Sequence, residues 1–407
     1  MYSVGIDVSK GKSTVSMINE YGEIILDPKD FKHTKNDLDE LIKSLKKYHF
    51  EDIKVIMEET GIYHHPILLY LKSKGYFCAV INPLKMKKYI NNLSFRGAKN
   101  DRKDSLSIAQ YGIDNWYKLT ESSIEYENVY ESMRRLSRDY LTKIKAKVYL
   151  VQNLDHIIDQ VSPGLKEEFK STETLSNKDK LSDFIDVFYH YNLISKHSYS
   201  SFEKKYKSWA KKKGYRFISN KCKKIYTLAK NNIPTVPSDE ITKNLVHSTV
   251  QALRSTNDAL KQILTQLNSF AVNLPEYKVA ISMPGVGEVL APLLIAETGN
   301  LRRFHSADAL VAFAGIDVPP YESGQFIATK RHITKKGSHN LRKILFQIMK
   351  CQIMCPPKID TAVYSFMMKK KSEGKQFKTY MVAGMNKFLR IYYARVKELY
   401  LNLDNLD

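Results

Sequence analysis

Four carboxylates in the N-terminal part of the chain lie at positions where an acid needs compensation. Asp7 and Glu58 each end or directly follow a short apolar run that predicts a β-strand. Asp101 and Asp104 are three residues apart at the start of a predicted helix, which puts both on one helical face. A carboxylate beside an apolar strand is costly unless a cation or hydrogen bonds compensate it. The set predicts a two-metal site for Mg²⁺, with Mn²⁺ as the alternative, of the kind that serves phosphoryl transfer.

Each of these acids has an ordinary explanation when it is taken alone. Asp7 fits a residue that caps a turn, and Asp101 and Asp104 fit the negative charges that the dipole favours at a helix N-terminus. Taken together, in this strand order and in a strongly basic chain, they favour the catalytic interpretation.

The elements that must position these acids alternate between strand and helix. Three predicted strands come first, and helices and strands then follow in turn, which indicates a mixed sheet covered by helices. The predicted strands are Ser3–Asp7, Ser13–Asn19, Glu23–Leu26, Lys54–Met57 and Phe77–Ile81, and the predicted helices are Asn36–Tyr48, His65–Ser73 and Pro83–Asn91.

Two long amphipathic helices are predicted for the middle of the chain. The first covers residues 123–161, and the second opens at Pro237-Ser238. The apolar spacing of the second helix is typical of a coiled coil with one polar residue in its seam. That seam consists of Val246, Val250, Leu253, Asn257, Leu260, Leu264 and Leu267. The pattern leaves open whether the two helices pair within the chain or between subunits.

The overall charge points to a polyanionic partner. The chain has 64 lysine and arginine residues against 43 aspartate and glutamate residues, a formal net charge of +21. Nucleic acid is favoured over an anionic membrane, because no lipidation motif or basic amphipathic anchor is evident. We expect no membrane partner, since no apolar run reaches the roughly 18 residues of a membrane helix. No signal peptide is evident either, and four cysteines in 407 residues fit a reducing cytoplasm.

A basic segment between the two long helices is rich in aromatic residues. Two interpretations stay open: a surface that binds phosphates and unstacked bases, or a solvated basic face whose aromatics point to a core. The cations proposed for nucleic-acid binding are Lys204, Lys205, Lys211, Lys212, Lys213 and Arg216, and the interleaved aromatics are Phe202, Tyr206, Trp209, Tyr215 and Phe217.

A short glycine motif opens the C-terminal part of the chain. Pro284-Gly285-Val286-Gly287 precedes the predicted apolar helix Glu288–Glu297 and resembles the hairpin of a helix-hairpin-helix element. Gly285 and Gly287 would let backbone N–H groups approach a phosphate. A Pro-Gly turn that merely opens a helix is the alternative.

Several short motifs follow one another along the chain. They are Gly5-Ile6-Asp7, Glu58-Glu59-Thr60-Gly61, Ala98-Lys99-Asn100-Asp101-Arg102-Lys103-Asp104, Met283-Pro284-Gly285-Val286-Gly287 and Tyr321-Glu322-Ser323-Gly324. In type and order these motifs resemble those of the DEDD transposases of the insertion-sequence one-ten family. The family has Lys-Thr-Asp where this chain has Lys99-Asn100-Asp101, which leaves the acids in place.

The resemblance implies an α/β RNase-H/RuvC-like domain at residues 1–115, a long helical coiled-coil region at 120–275 and a mostly helical transposase domain at 276–407. It also implies that Ser323 is a catalytic nucleophile. Further basic residues would hold the DNA backbone near it. These are Lys330, Arg331, Lys335, Lys336 and Arg342.

The resemblance also implies the partners. They are donor and target DNA, a structured bridge RNA encoded by the element that guides recombination, and further copies of the chain in a dimer or tetramer. The protein would be associated with the prokaryotic nucleoid. Two alternatives stay open: a RuvC-like structure-specific DNA endonuclease that uses water, and a non-enzymatic nucleic-acid-binding assembly protein.

Overall fold

The computed structural model describes residues 1–93, 101–122, 129–169, 179–319, 322–323, 326–327 and 332–405. The chain forms two compact units, Met1–Tyr126 and Glu127–Asp407. The regions predicted as a helical middle and a C-terminal domain lie together in the second unit, and the division into three domains stays a prediction. None of the helices described is long and apolar enough to cross a membrane.

The first unit is built on a mixed five-stranded sheet with the strand order β3-β2-β1-β4-β5. β1 pairs antiparallel with β2 and parallel with β4, so the sheet begins as a meander and continues through helical crossovers. This is the RNase H-like arrangement that the sequence predicted. The elements are β1 (Tyr2–Ser9), β2 (Lys12–Asn19), β3 (Ile24–Lys32), α1 (Lys35–Leu45), β4 (Ile53–Glu58), α2 (His65–Ser73), β5 (Phe77–Ile81), α3 (Pro83–Leu93) and α4 (Asp101–Asp114).

β3 is longer than the predicted strand Glu23–Leu26. It continues through the polar stretch Asp27-Pro28-Lys29-Asp30, which does not resemble a strand. The strand order places β3 at an edge of the sheet, and an edge strand tolerates proline and charge because one row of its backbone groups has no ladder partner. Its register with β2 shifts between the pairs Val15–Lys29 and Met17–Leu26, so β3 has one extra residue between them, at Asp27 and Pro28.

The second unit is mostly helical and is organised around two long helices, α5 and α10, which pack along each other within the chain. Its first elements are α5 (Val129–Val161), α6 (Lys180–Ile185), α7 (Asn192–Ser195), α8 (Tyr199–Lys213), α9 (Ser219–Asn231) and α10 (Glu240–Ala271). Its last elements are α11 (Glu276–Ser282), α12 (Leu290–Thr298), α13 (Ala307–Ala314), β6 (Glu322–Ser323), β7 (Phe326–Ile327), α14 (His339–Met354), α15 (Ala362–Ser372) and α16 (Phe377–Asp404).

α5 and α10 run in opposite directions and connect two apolar cores. Met133 near the start of α5 shares a core with Leu267 near the end of α10 and with the C-terminal helices. Ile158 near the end of α5 shares a second core with Val250 near the start of α10. The pairing left open by the sequence is therefore intrachain packing, while a coiled-coil geometry stays a prediction.

The aromatic residues of the basic segment belong to the second of these cores. Phe202 and Tyr206 are fully buried, and Trp209 is almost fully buried, against Phe184 and Phe188. The interpretation that these rings stack on unpaired bases is therefore wrong for these three. The alternative, a solvated lysine face over an aromatic core, is the one that the structure supports.

β1 and α4 approach so closely that β1 requires glycine at the contact. A Cβ atom on Gly5 would lie 2.1 Å from the carbonyl oxygen of Ser105 and 2.3 Å from the backbone nitrogen of Ala109. Both are backbone atoms of α4, so neither can turn away as a side chain could. α4 can therefore lie against β1 only where β1 has no side chain.

We predict that Gly5→Ala destabilises the first unit by about 1–3 kcal/mol, because the new methyl group forces α4 away from β1. Urea unfolding followed by the fluorescence of Trp116, in a Trp209→Phe background, measures this. Gly287→Ala is the matched control, since a Cβ atom there would have nothing within 4 Å. Equal midpoints for Gly5→Ala and its parent would refute the packing constraint.

Candidate active site

Three of the four predicted acids form one cluster in the first unit. Carboxylate oxygens of Asp7, Asp101 and Asp104 all lie within 4.8 Å of one another. Asp7 and Asp104 are half-buried, and Asp101 is exposed at the start of α4. Three like charges at this distance repel unless cations compensate them, and oxygen ligands from several carboxylates are what Mg²⁺ and Mn²⁺ accept. The donor set therefore fits the divalent metal that the sequence predicted.

Parallel pairing brings the fourth acid to the same edge of the sheet. The register of β1 and β4 pairs Ile6 with Met57, and Asp7 and Glu58 are the next residues in their strands. Glu58 is half-buried and is not a member of the 4.8 Å cluster. The neighbouring Glu59 is exposed. The structure therefore places Glu58, not Glu59, beside the position of Asp7.

Asp7 and Glu58 share the face of the sheet that α4 covers. Side chains alternate between the two faces of a strand. Gly5 faces α4, so Asp7, two residues further on, faces it as well. Ile56 contacts the position of Gly112 in α4, and Glu58 lies two residues beyond Ile56. The first turn of α4 brings Asp101 and Asp104 over this edge, where the helix dipole favours negative charge.

A basic side chain and a further acid lie next to the cluster. Lys12 donates to Asp30 at 2.7 Å, and Thr14 donates to the other oxygen of Asp30, also at 2.7 Å. The bond to Asp30 raises the pKa of Lys12, and the charge of Asp101 raises it further. The pKa of Asp30 is lowered by Lys12 above all. No sequence pattern indicated this pair, because Asp30 lies in the part of β3 that was not predicted.

Ser323 lies in the second unit on a two-residue strand. Its backbone pairs with Phe326 across the short β6–β7 ladder. The segment that carries the ladder is closed at its base, where the Thr334 N–H donates to the Asp317 carbonyl oxygen at 3.0 Å and the Thr334 hydroxyl donates to the Asp317 carboxylate at 2.5 Å. The Lys335 N–H donates to the Gly315 carbonyl at 3.0 Å. Ser323 is therefore held in a hairpin whose two ends are tied together.

The predicted DNA-binding cations near Ser323 fall into three groups. Lys335 and Lys336 are exposed just beyond the base of the hairpin. Arg342 donates to the carbonyl oxygens of Ala314 at 2.9 Å and Gly337 at 3.2 Å, so it braces the backbone there. The remaining two, Lys330 and Arg331, lie outside the described residues.

The two glycines of the predicted phosphate-binding turn differ from each other. Gly285 has a φ of 77°, and a Cβ atom on it would lie 2.8 Å from the carbonyl oxygen of Ile348 in α14. Packing against α14 therefore accounts for Gly285. A Cβ atom on Gly287 would have nothing within 4 Å, so no packing contact accounts for this glycine. The predicted helix-hairpin-helix contact between this turn and a phosphate stays a prediction.

An RNase H-like sheet with clustered acids at its edge defines a metal-dependent enzyme that acts on nucleic acid. The comparisons with known proteins identify the family. A model of the DEDD transposases of the IS110 family matches residues 4–163, and one described as transposase of the IS116/IS110/IS902 family matches residues 277–364. Together they match more than half of the 407 residues. The chain belongs to the IS110/IS116/IS902 family of DEDD transposases, enzymes that cleave and transfer DNA.

Two curated relatives extend over nearly the whole chain. Both are named pilin gene-inverting protein, one from Moraxella bovis and one from Moraxella lacunata. Each is 22% identical over 399 residues, which is 97% of this chain and 95% of the relative.

We predict that Asp104→Asn weakens Mn²⁺ and Mg²⁺ binding roughly tenfold or more, because a cluster carboxylate loses its charge. Isothermal titration calorimetry on the full chain measures this. Asp114→Asn, at the far end of the same helix, is the control. Unchanged metal affinity would show that the cluster is not the metal site.

Proposed function

We propose that this transposase cuts and rejoins DNA with Ser323 as the nucleophile and with Asp7, Glu58, Asp101 and Asp104 as metal ligands. The observation that carries the proposal is the acid cluster at the start of α4. Divalent cations held there would stabilise charge on the attacking and leaving oxygens of a phosphoryl transfer. The residues themselves supply the oxygen ligands and fix them on rigid elements.

The serine step conserves the phosphodiester bond energy. The Ser323 oxygen loses its proton and bonds to the scissile phosphorus, the bond from phosphorus to the DNA 3′ oxygen breaks, and that oxygen takes up a proton. One ester bond forms and one breaks, so no external energy source is needed. In the reverse step a DNA 3′-hydroxyl attacks the phosphoserine and frees the enzyme. The hydrogen bonds between Asp317 and Thr334 support this role, because they bring together the two ends of the segment that contains Ser323.

The relatives' name supports rejoining as well as cutting. A protein that inverts a gene must reseal every strand that it opens, and a covalent serine intermediate keeps the cut end available for that. A water-activating endonuclease would leave free ends, and it would need the four acids but not Ser323. A non-enzymatic assembly protein would need neither.

We predict that Ser323→Ala abolishes the covalent protein–DNA adduct and strand rejoining, while Mg²⁺ affinity stays at the parent value. Denaturing electrophoresis of labelled DNA after incubation with Mg²⁺ detects the adduct. Ser282→Ala, an exposed serine of the same unit, is the control. Hydrolysis at the parent rate by Ser323→Ala would eliminate the serine role and favour the endonuclease. Asp104→Asn should lose both cleavage and the adduct.

The exposed lysines of α8 offer a site for the structured RNA that we propose as the guide to donor and target DNA. Lys204, Lys205, Lys211 and Lys212 are exposed, whereas Lys213 donates to Asp183 at 3.0 Å and helps to hold the segment in place. Exposed lysines bind phosphates through charge and carry no base specificity. A guide RNA that reads the DNA by base pairing would supply the sequence specificity that such a surface lacks. We propose a homo-oligomer, a dimer or tetramer, as the assembly that binds both DNA partners.

We predict that Lys211→Glu combined with Lys212→Glu lowers the affinity for structured RNA about tenfold, since two phosphate contacts become repulsive. Filter binding with RNA transcribed from the region flanking the gene measures this. Lys46→Glu with Lys47→Glu, exposed lysines of the first unit, makes the same change in net charge elsewhere. An equal loss in both double variants would show that only net charge matters and would contradict an RNA site on α8.

A further inference from the structure

A large groove lies in the second unit, and residues on both sides of the Ser323 hairpin along the chain contribute to its lining. Its volume is about 1580 Å³, and its walls come from α14, α15, α16 and the chain on both sides of the hairpin. Val318 lines it before the hairpin and His332 lines it afterwards. Along the chain, Val318 is five residues before the proposed nucleophile Ser323 and His332 is nine residues after it.

The rim of the groove is strongly cationic. Among the described residues that line it there is no aspartate or glutamate. Arg390 is ion-paired with Asp308 outside the groove. The six lysine and arginine residues of the lining are Lys335, Arg342, Lys343, Lys378, Lys387 and Arg390.

His339 also lines the groove and has cations around it. Its pKa lies below the ordinary value because burial disfavours the charged ring, and the charges of Lys343, Arg342 and Lys145 lower it further. Cations that disfavour a further positive charge form a site for an anion.

The floor of the groove is apolar and contains two aromatic rings. Phe346 and Phe366 are half-buried, as are Ile333, Val382 and Ile391. The ammonium group of Lys387 lies 4.8 Å from the centre of the Phe366 ring. A floor of this kind can contact the flat faces of bases, and the cations above it can contact a phosphate backbone.

We infer that this groove binds a single unpaired DNA strand that leads to or from the Ser323 hairpin. The inference rests on the proposed function, because it takes the strand to be the one that Ser323 cuts. A duplex hides the faces of its bases and would leave the apolar floor uncovered, whereas an unpaired strand satisfies floor and rim together. A second copy of this chain, with its net charge of +21, would bring positive charge to a cationic rim.

Fluorescence anisotropy tests the inference with the full chain in Mg²⁺-free buffer, using labelled single-stranded DNA of about 12 nucleotides and a duplex of the same sequence. Lys343→Ala with Lys378→Ala should weaken single-strand binding about tenfold and reduce the slope of log affinity against log salt by about 1.4. Lys371→Ala with Lys375→Ala, exposed lysines outside the groove, is the matched control and should leave both unchanged.

A variant of the aromatic floor separates single-strand binding from duplex binding more clearly than the lysine variants do. Phe366→Ala should weaken single-strand binding about tenfold and leave duplex binding unchanged. Phe366→Tyr keeps the ring and should restore binding, which separates lost stacking from a folding defect. Equal losses for single strand and duplex, or no loss for either, would overturn the inference. The inference would also be overturned if Phe366→Ala changed the oligomer mass measured by light scattering but left single-strand affinity unaltered. A second copy of the chain would then be the occupant of the groove.

Ser323→Ala distinguishes this inference from the proposed function. It should bind the single strand with the parent affinity, because the groove does not need the nucleophile. If Ser323→Ala still hydrolyses DNA while the groove variants lose the strand, the serine role fails and the groove remains. If the groove variants bind normally, the groove fails whatever Ser323 does.

Discussion

The contact between β1 and α4 is the constraint on which the candidate site depends. A helix normally packs on a sheet through side chains of both partners, which keeps the two backbones well apart. Gly5 removes the side chain on the β1 side, and a Cβ atom at Gly112 of α4 would likewise lie 2.1 Å from the hydroxyl oxygen of Ser3. The helix therefore rests on the strand along about two turns. Its first turn then reaches the end of β1, where the acids Asp101 and Asp104 come within reach of Asp7.

This close packing explains why repelling charges can be held together without being buried. Asp101 is exposed and Asp104 and Asp7 are half-buried, so water still screens their repulsion. The α4 dipole offsets part of it, and the rigidity of the glycine contact prevents the acids from relaxing apart. The acids are thus held close together before a metal binds, despite their repulsion. This is preorganisation of a metal site.

How much the sequence could predict depended on whether the signal was local. The acids were predictable because each follows a strand or opens a helix, and parallel strands end at one edge. The bounds of α2 and β5 were predicted correctly, since both are short apolar elements between clear breaks. β3 was cut short because its edge position, which a single segment does not reveal, permits charge and proline. The role of the rings around Trp209 was ambiguous, because a basic amphipathic helix has the same sequence pattern whether its aromatic residues pack in a core or stack on bases.

The groove was not predictable for the opposite reason: its lining comes from three helices and two stretches of chain between helices, and no local pattern marks it. His332, Lys343 and Lys378 are 11 and 35 residues apart along the chain and line one groove only in the folded unit. The cations near Ser323 were predicted one by one as DNA contacts, and Arg342 among them donates to backbone carbonyl oxygens. A lysine in a sequence indicates a charge but not its neighbours. Collecting cations over an apolar floor with no acid among the described lining residues costs the isolated protein stability through repulsion. A bound polyanion offsets that repulsion, and the number of phosphates that the cations neutralise sets how steeply binding depends on salt.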